Sequence, residues 1–129
     1  MTAPTPAATE ILVVDDSAVV RKVARRILEG LGFAVREAAD GAQALEACRA
    51  ALPRGVLLDR NMPVLDGIGF LHAARAEFGD RPLVVMCTTE AASERILEGL
   101  EAGADEYVMK PFDEEILRDK LVQVGLLPA

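Results

Sequence analysis

A carboxylate at the end of a short apolar run is the residue in this sequence best placed to do chemistry. Residues 56–58 form a run that is typical of a buried strand, and Asp59 follows it directly. Pro63 and Gly67 then mark a loop. In an open parallel α/β sheet, ligands bind beyond the carboxyl ends of the strands, so this position favours a chemical role for Asp59 over a packing role.

Polar residues follow four of the five strands that the apolar pattern predicts. They are Asp15 and Asp16 after the first strand, Asp59 after the third, Thr88 after the fourth and Lys110 after the fifth. Because the carboxyl ends of parallel strands meet at one edge of a sheet, we expect these groups to converge. Each residue alone is commonplace at a strand end, where an aspartate often caps the next helix. The prediction therefore depends on their occurring together.

Three clustered carboxylates repel one another unless a cation lies among them. Mg²⁺ suits such a site because it takes carboxylate, carbonyl and water oxygens and often shares its shell with a phosphate. A lysine ammonium and a threonine hydroxyl would add donors for phosphoryl oxygens. The residues therefore predict a Mg²⁺-assisted site at which Asp59 is the nucleophile and forms an aspartyl phosphate.

The elements that must position these groups alternate between strand and helix patterns. Strand patterns cover residues 11–14, 33–38, 56–58, 83–87 and 106–109. Helix patterns lie between them, the second ending near Ala51, and a last helix begins near Asp113. Five strands alternating with helices through short connections predict a parallel sheet with right-handed crossovers and helices on both faces. The fold class is therefore α/β.

Helical periodicity also predicts which side chains face the core. The expected inward residues are Val20, Val23, Ala24, Ile27, Leu28 and Leu31 in the first helix, Ala44, Leu45, Cys48 and Leu52 in the second, and Ala92, Ile96, Leu97 and Leu100 in the fourth. Arg21, Lys22, Arg25 and Arg26 should form a solvated stripe on the first helix. Asp40 and Gln43 are spaced as a capping box, and Gly103 is expected to end the fourth helix. Gly99 should make that helix the most mobile one, since a glycine inside a helix costs about 1 kcal/mol.

Composition limits the class of protein. A chain of 129 residues with 51% hydrophobic and 27% charged residues suits one folded domain, at 10–129, after a short flexible tail at 1–9. A net charge of -7 opposes nucleic-acid binding, and no apolar run is long enough to cross a membrane. The first residues do not resemble a secretory signal, and Cys48 and Cys87 have no disulfide or metal spacing, so both should be buried thiols of a cytoplasmic protein.

The polar residues, taken with their neighbours, resemble the full signature of response regulator receiver domains. The matching positions are Asp15-Asp16, Asp59, Met62-Pro63, Asp66-Gly67, Thr88 and Lys110-Pro111-Phe112. The resemblance extends from about Glu10 to Val124. It implies a flavodoxin-like, CheY-like doubly wound sheet of five parallel strands in the order 2-1-3-4-5, with five helices.

The resemblance also implies a role for each site residue. Asp59 would accept a phosphoryl group from a histidine of a partner kinase or phosphotransfer protein. Mg²⁺ would be held by Asp15, Asp16, Asp59 and the backbone carbonyl of Asn61, with Asp15 acting through water. Thr88 and Lys110 would bind phosphoryl oxygens, Tyr107 would turn inward as Thr88 moves, and the bond before Pro111 would be cis. The domain would not be an enzyme in the usual sense, although it would assist its own phosphorylation and dephosphorylation.

Two features narrow the expected type of receiver domain. Asn61 and Glu90 resemble the pair that shortens the lifetime of the phosphoryl group in chemotaxis regulators. No residues follow the fifth helix to form an effector domain, so we expect a monomeric, stand-alone receiver that signals by binding a downstream protein through the fourth helix, fifth strand and fifth helix. Thr89 departs from the family pattern, which usually has alanine there, and its bulk is expected to narrow access to the site.

Other functions remain open at this stage. A receiver of this kind could serve as a phosphate sink or a phosphorelay intermediate instead of a chemotaxis regulator. An aspartyl-phosphate phosphatase of the haloacid dehalogenase type would need a second acid two residues after the nucleophile, where this chain has Asn61. A flavin or nucleotide carrier would need a glycine- or hydroxyl-rich loop after the first strand, where Asp15 and Asp16 stand. His72, the only histidine, is expected to be a surface residue.

Overall fold

The computed structural model describes residues 9–89 and 92–128. Within these ranges strands and helices alternate along the chain. The strands are β1 (Glu10–Val14), β2 (Ala34–Ala38), β3 (Gly55–Asp59), β4 (Leu83–Thr88) and β5 (Glu106–Met109). The helices are α1 (Ala18–Gly30), α2 (Gly41–Ala50), α3 (Gly67–Phe78), α4 (Ser93–Ala102) and α5 (Glu114–Gln123). Each predicted element is present, with boundaries that agree to within about two residues.

The described strands form one parallel sheet in the order β2-β1-β3-β4-β5. Val14 lies opposite Leu58 in the register between β1 and β3, and Asp59 lies opposite Cys87 between β3 and β4. The central strand β3 is buried along its whole length. This order and the alternation of strands with helices confirm the predicted α/β class and the flavodoxin-like topology.

Two apolar layers cover the two faces of the sheet. On one face, Leu58 and Met86 pack with residues of α2 and α3, among them Phe70 at 0% exposure. On the other face, Leu57 and Cys87 pack with residues of α1 and α5. Neighbouring strand residues therefore point into different cores, since side chains alternate along a strand. Burying a side chain such as Phe70 contributes roughly 2–3 kcal/mol, so these layers hold the strand ends in place.

Polar side chains fix where most helices begin. The side chains of Ser17, Asp40, Asp66 and Asp113 accept hydrogen bonds from backbone N–H groups in the first turns of α1, α2, α3 and α5. Gln43 also accepts a hydrogen bond at 3.0 Å, but from the backbone N–H of Ala39, so the reciprocal bond of the predicted capping box is displaced by one residue from the cap Asp40. Helix α4 begins after Ala92, which has no side chain able to cap it, and ends at Gly103 with φ +119°, as predicted.

The prediction of inward-facing residues was wrong at several positions. Val23, Leu52, Leu97 and Leu100 are exposed by 38% or more, and Ala92 lies exposed before α4 begins. The described helix α4 has one buried residue, Gly99. The physical reason is that α4 packs over the edge strand β5 and beside α3, so a single narrow face meets the protein. Periodicity alone predicts an apolar face but not its width.

In the predicted solvated stripe of α1, Lys22 and Arg26 are exposed as predicted, whereas Arg21 and Arg25 are partly buried in ion pairs. Arg21 Nε lies 3.1 Å from a carboxylate oxygen of Glu37, and Arg25 pairs with the same carboxylate. Glu37 belongs to β2, so these ion pairs join α1 to the strand beside it.

Other predictions concern the surface and the tail. His72 is exposed and Cys48 and Cys87 are buried free thiols, as predicted. Residues 1–8 of the predicted tail lie outside the described residues. None of the helices in the described part of the chain combines the length and apolarity needed to cross a membrane.

Candidate functional site

Three carboxylates meet at the carboxyl ends of the strands. Asp15 and Asp16 follow β1 and Asp59 ends β3, and one oxygen from each side chain lies within 4.8 Å of the others. The register places the ends of β1 and β3 side by side, which is why residues far apart in sequence converge. Asp15 and Asp59 are buried, and Asp16 is exposed to solvent.

Lys110 brings a positive charge to this cluster. Its Nζ atom donates to Asp15 Oδ2 at 2.7 Å and to Asp59 Oδ1 at 3.1 Å. The backbone N–H of Lys110 donates to the carbonyl of Thr88 at 2.9 Å, which fixes the end of β5 against the end of β4. The peptide bond between Lys110 and Pro111 is cis.

Asp15 is held from several directions. Its Oδ1 atom accepts a hydrogen bond from the backbone N–H of Ser17 at 2.9 Å. Its carbonyl oxygen accepts one from Arg21 Nη1 at 2.7 Å, and its own N–H donates to the carbonyl of Ala38 at 3.1 Å. The guanidinium of Arg21 therefore braces the acidic loop as well as pairing with Glu37, a role that the sequence pattern did not indicate.

The loop after Asp59 comes close to it because Gly67 has no side chain. A Cβ atom at Gly67 would lie 2.6 Å from the carbonyl oxygen of Asp59 and 3.0 Å from the Cα atom of Arg60. The backbone N–H of Gly67 instead donates to the carbonyl of Arg60 at 3.0 Å. The start of α3 is thereby tied to the end of β3.

Burial changes the acid–base properties of the cluster. Desolvation raises the pKa of Asp59 and the charge of Asp15 raises it further, although the hydrogen bond and charge of Lys110 and a backbone hydrogen bond with Asn61 oppose the shift. Burial tends to lower the pKa of Lys110, but its hydrogen bonds and ion pairs with Asp15 and Asp59 outweigh burial and raise that pKa. Lys110 is therefore a stable cation at neutral pH.

The donor set fits a hard divalent cation. One ammonium group faces three carboxylates, so two negative charges are left uncompensated within the cluster. Carboxylate oxygens are the ligands that Mg²⁺ prefers, and the exposed side chain of Asp16 leaves the site open toward solvent. The pKa of Asp59 is raised chiefly by burial and further by the charge of Asp15, so a cation bound beside it would favour the ionised carboxylate.

The remaining predicted residues lie around this cluster or outside the described residues. Thr88 is buried at the end of β4, and Asn61 is exposed just after Asp59. Tyr107 lies opposite Met86 in the register between β4 and β5, and Lys120 Nζ lies 4.6 Å from the centre of its ring. Thr89 is exposed at the rim of the site. Glu90 lies outside the described residues.

An apolar groove next to the site was not predicted. It has a volume of about 360 Å³ and is lined by Val19, Val20, Val23, Thr89, Lys110, Pro111 and Phe112. Two of these valines are well exposed, with 72% exposure at Val19 and 51% at Val23. The sequence pattern assigned Val23 to the core, so it gave no indication of a groove.

The arginine directly after Asp59 was also missed. Arg60 is only 5% exposed, and its side chain runs from the end of β3 to the underside of α4. Its position in the sequence could have indicated its orientation, because alternation along the strand places Arg60 on the opposite face of the sheet from Asp59. A charged residue on that buried face requires an oppositely charged or hydrogen-bonding partner. The pattern of polar residues at the strand ends does not identify that partner, because it lies on α4.

Comparison with known proteins gives a consistent result. A family model described as response regulator receiver domain matches residues 11–122. The transcriptional regulatory protein PrrA of Mycobacterium tuberculosis is 44% identical over 102 residues, which are 79% of this chain and 43% of PrrA. The response regulator MprA of Mycolicibacterium vanbaalenii is 44% identical over 108 residues, which are 83% of this chain and 46% of MprA. The chain therefore spans less than half the length of these curated relatives.

Among solved structures, the chemotaxis protein CheY4 of Vibrio cholerae has the same fold. Its TM-score with this chain is 0.86 at 35% sequence identity, and the match covers 92% of this chain and 99% of CheY4. The chain is thus similar over most of its length both to a regulator named for transcription and to one named for chemotaxis.

Proposed function

The chain belongs to the response regulator receiver domain family, and we propose that it acts as a phosphorylation switch in which Asp59 accepts a phosphoryl group. The observation that carries this proposal is the position of the buried Asp59 carboxylate among Asp15, Asp16 and Lys110. A site of this kind combines a nucleophile with groups that can stabilise the charge of a transferred phosphoryl group.

The proposed donor is a phosphohistidine of a partner kinase or phosphotransfer protein. A carboxylate oxygen of Asp59 attacks the phosphorus atom, a P–O bond forms, and the P–N bond to the histidine breaks. The electron pair of that bond returns to the imidazole nitrogen, which then takes a proton from solvent. Apart from this proton, only the donor and the acceptor take part in the transfer.

Mg²⁺ is the proposed cofactor, held by Asp15, Asp16, Asp59 and the backbone carbonyl of Asn61. When bound, it would neutralise negative charge on the carboxylates and the phosphoryl oxygens. Lys110 keeps its charge at neutral pH and would bind a phosphoryl oxygen, with Thr88 binding another through its hydroxyl group. Asn61 and Glu90 would tune the rate at which water removes the phosphoryl group.

Retention of the phosphoryl group distinguishes this proposal from a phosphatase. Rapid turnover of an aspartyl phosphate requires a general acid or base beside the nucleophile, and an acid two residues further on is the usual arrangement. Asn61 occupies that position, and an amide does not relay protons. The chain therefore suits a switch that holds its modification long enough to be read by another protein.

The proposed output is a binding event through α4, β5 and α5, including Tyr107. The match to nearly all of CheY4 supports a role in chemotaxis or motility control. The mycobacterial relatives PrrA and MprA are not named for chemotaxis, so the downstream partner has to be found by experiment. A swimming assay in the organism of origin with an Asp59→Asn allele tests this role, since loss of the switch should change motility.

Phosphorylation of the purified protein tests the central proposal. The chain is incubated with phosphoramidate and Mg²⁺ and its intact mass is measured. We expect one phosphoryl adduct that decays with time and that is absent in Asp59→Asn. Asp80→Asn, a change of the same kind at an exposed aspartate, should leave the adduct unchanged. An adduct that persists in Asp59→Asn would contradict the proposal.

A further inference from the structure

The buried side chain of Arg60 connects the end of β3 to α4, where its ion-pair partner Glu98 is half exposed. The side chain of Arg60 is 6% exposed, and its Nη1 atom donates to the carbonyl oxygen of Arg95 at 2.9 Å. Its Nη2 atom pairs with the carboxylate of Glu98. The guanidinium thus binds both the backbone and a side chain of the same helix.

The attachment of α4 relies heavily on this connection. In the described helix, Gly99 is the only buried residue, so little apolar surface holds α4 against the sheet. A buried guanidinium that lost its carboxylate partner would be strongly unfavourable, because the charge would remain out of water without compensation. Arg60 and α4 are therefore energetically linked, and a shift of one has to be accommodated by the other.

Gly99 permits this packing. A Cβ atom at that position would lie 2.8 Å from Met86 Sδ and 3.9 Å from Arg60 Nη1. The absence of a side chain at residue 99 therefore lets α4 lie this close to Met86, whereas the distance to Arg60 is that of an ordinary contact. The glycine is required by the close approach of α4 to Met86.

Arg60 also shares a confined space with the two proposed switch residues. Arg60, Thr88 and Tyr107 all line one cavity beneath α4 whose volume is only about 10 Å³. That is about the minimum space for one water molecule. The cavity therefore has no room for an inward movement of Tyr107 unless Thr88, Arg60 or α4 also moves.

We propose that Arg60 is a positioning residue that holds α4 in the arrangement of the unphosphorylated chain, and that phosphorylation of Asp59 works against this hold. The inference rests on the proposed function, since it assigns a route by which the state of Asp59 reaches α4. Asp59 and Arg60 are adjacent in the chain and point to opposite faces of the sheet. The ion pair between Arg60 and Glu98 is named here the α4 latch.

Coupling between two sites is reciprocal. If phosphorylation weakens the α4 latch, then breaking the latch must favour the phosphorylated arrangement and raise the affinity for a phosphoryl mimic. We therefore expect Arg60→Met and Glu98→Gln each to bind beryllofluoride, in excess Mg²⁺, about fivefold more tightly or better. Calorimetric titration measures the affinity, and hydrogen exchange of α4 amides in the unmodified variants should be faster than in the wild type.

The sign of the effect separates this role from two simpler explanations. Arg60→Met removes a positive charge, so electrostatics alone would weaken anion binding, whereas loss of the latch strengthens it. A purely structural role would lower stability without raising affinity. Glu101→Gln removes the same negative charge as Glu98→Gln, at an exposed position of α4 outside the ion pair, and should leave the affinity unchanged. The double variant Arg60→Met/Glu98→Gln should bind no more tightly than the tighter single variant.

The outcomes also separate this inference from the proposed function. If the wild type binds beryllofluoride and Asp59→Asn does not, but both latch variants bind with wild-type or lower affinity, the role of Arg60 is wrong and the phosphorylation site stands. If the wild type itself fails to bind beryllofluoride and is not phosphorylated, both proposals are overturned.

Discussion

The Nζ atom of Lys110 lies 3.1 Å from Oδ1 of Asp59, although 51 positions separate the two residues in the chain. The same ammonium group is 2.7 Å from Asp15 Oδ2. A single cation thus joins the ends of β1, β3 and β5. This bridge limits the repulsion within the carboxylate cluster.

Lys110→Met should destabilise the metal-free protein. The substitution leaves Asp15 and Asp59 buried and close together without their shared cation. We expect a loss of about 2 kcal/mol in the free energy of unfolding, between the values for exposed and fully buried ion pairs. Urea unfolding at pH 7 in the presence of EDTA measures it. Lys22→Met, at an exposed position of α1, is the matched control and should change stability by less than about 0.5 kcal/mol.

Asp59→Asn should have the opposite effect on the metal-free protein. It removes one of three crowded carboxylates, and a buried one whose pKa is raised by desolvation, so the folded state loses an unfavourable charge. The variant should also lose most of the stabilisation that Mg²⁺ gives the wild type, which is about 2.7 kcal/mol at 100 times Kd. Thermal unfolding with and without Mg²⁺ tests both effects. An equal Mg²⁺ response in the variant would place the metal elsewhere.

Val64→Gly should stabilise the protein. Val64 lies in the loop after β3, is 83% exposed and has φ +69°, a left-handed conformation that is strained for a β-branched residue. Glycine relieves the strain, and we expect a gain of about 1 kcal/mol in the free energy of unfolding after the entropic cost of glycine. Val19→Gly is the control, because Val19 is exposed within α1 and glycine should destabilise that helix. A loss of stability in Val64→Gly would contradict the assignment of strain.

Gly99→Ala should destabilise the protein, although alanine favours helix formation. The added Cβ atom meets Met86 Sδ, and the overpacking should outweigh the helix preference by about 1 kcal/mol. In a Met86→Ala background the same change should become stabilising, since the contact is gone. Gly30→Ala is the control because a Cβ atom there has no neighbour within 4 Å. Chemical unfolding of the wild type, the two single variants and the double variant measures the coupling between positions 99 and 86.

Both cysteines should react slowly with thiol reagents in the folded protein. Burial raises the pKa of Cys48 to about 11, and complete burial raises the pKa of Cys87 still further. The reactive thiolate is therefore scarce at pH 8, and access is blocked. Labelling followed by mass spectrometry should show both thiols reacting only when denaturant is added. Fast labelling of Cys87 without denaturant would indicate that the sheet opens next to Asp59.

The sequence predicted the elements of the fold and the polar residues that meet at the strand ends. Strand alternation, helical periodicity and capping residues such as Asp40 and Ser17 act over a few neighbouring residues, so they can be recognised in the chain itself. The convergence of Asp15, Asp59 and Lys110 was predictable because parallel strands must place their carboxyl ends at one edge.

The tertiary structure alone decided which residues are buried and which charges are paired. Periodicity placed Leu97 and Leu100 in the core, but α4 packs over the sheet edge on a narrow face and leaves both exposed. The sequence pattern did not single out Arg60, yet the sheet directs its side chain beneath α4, where it pairs with Glu98. Burial and ion pairing depend on which surfaces come together from distant parts of the chain. The local sequence pattern of one segment does not show which distant segment will pack against it.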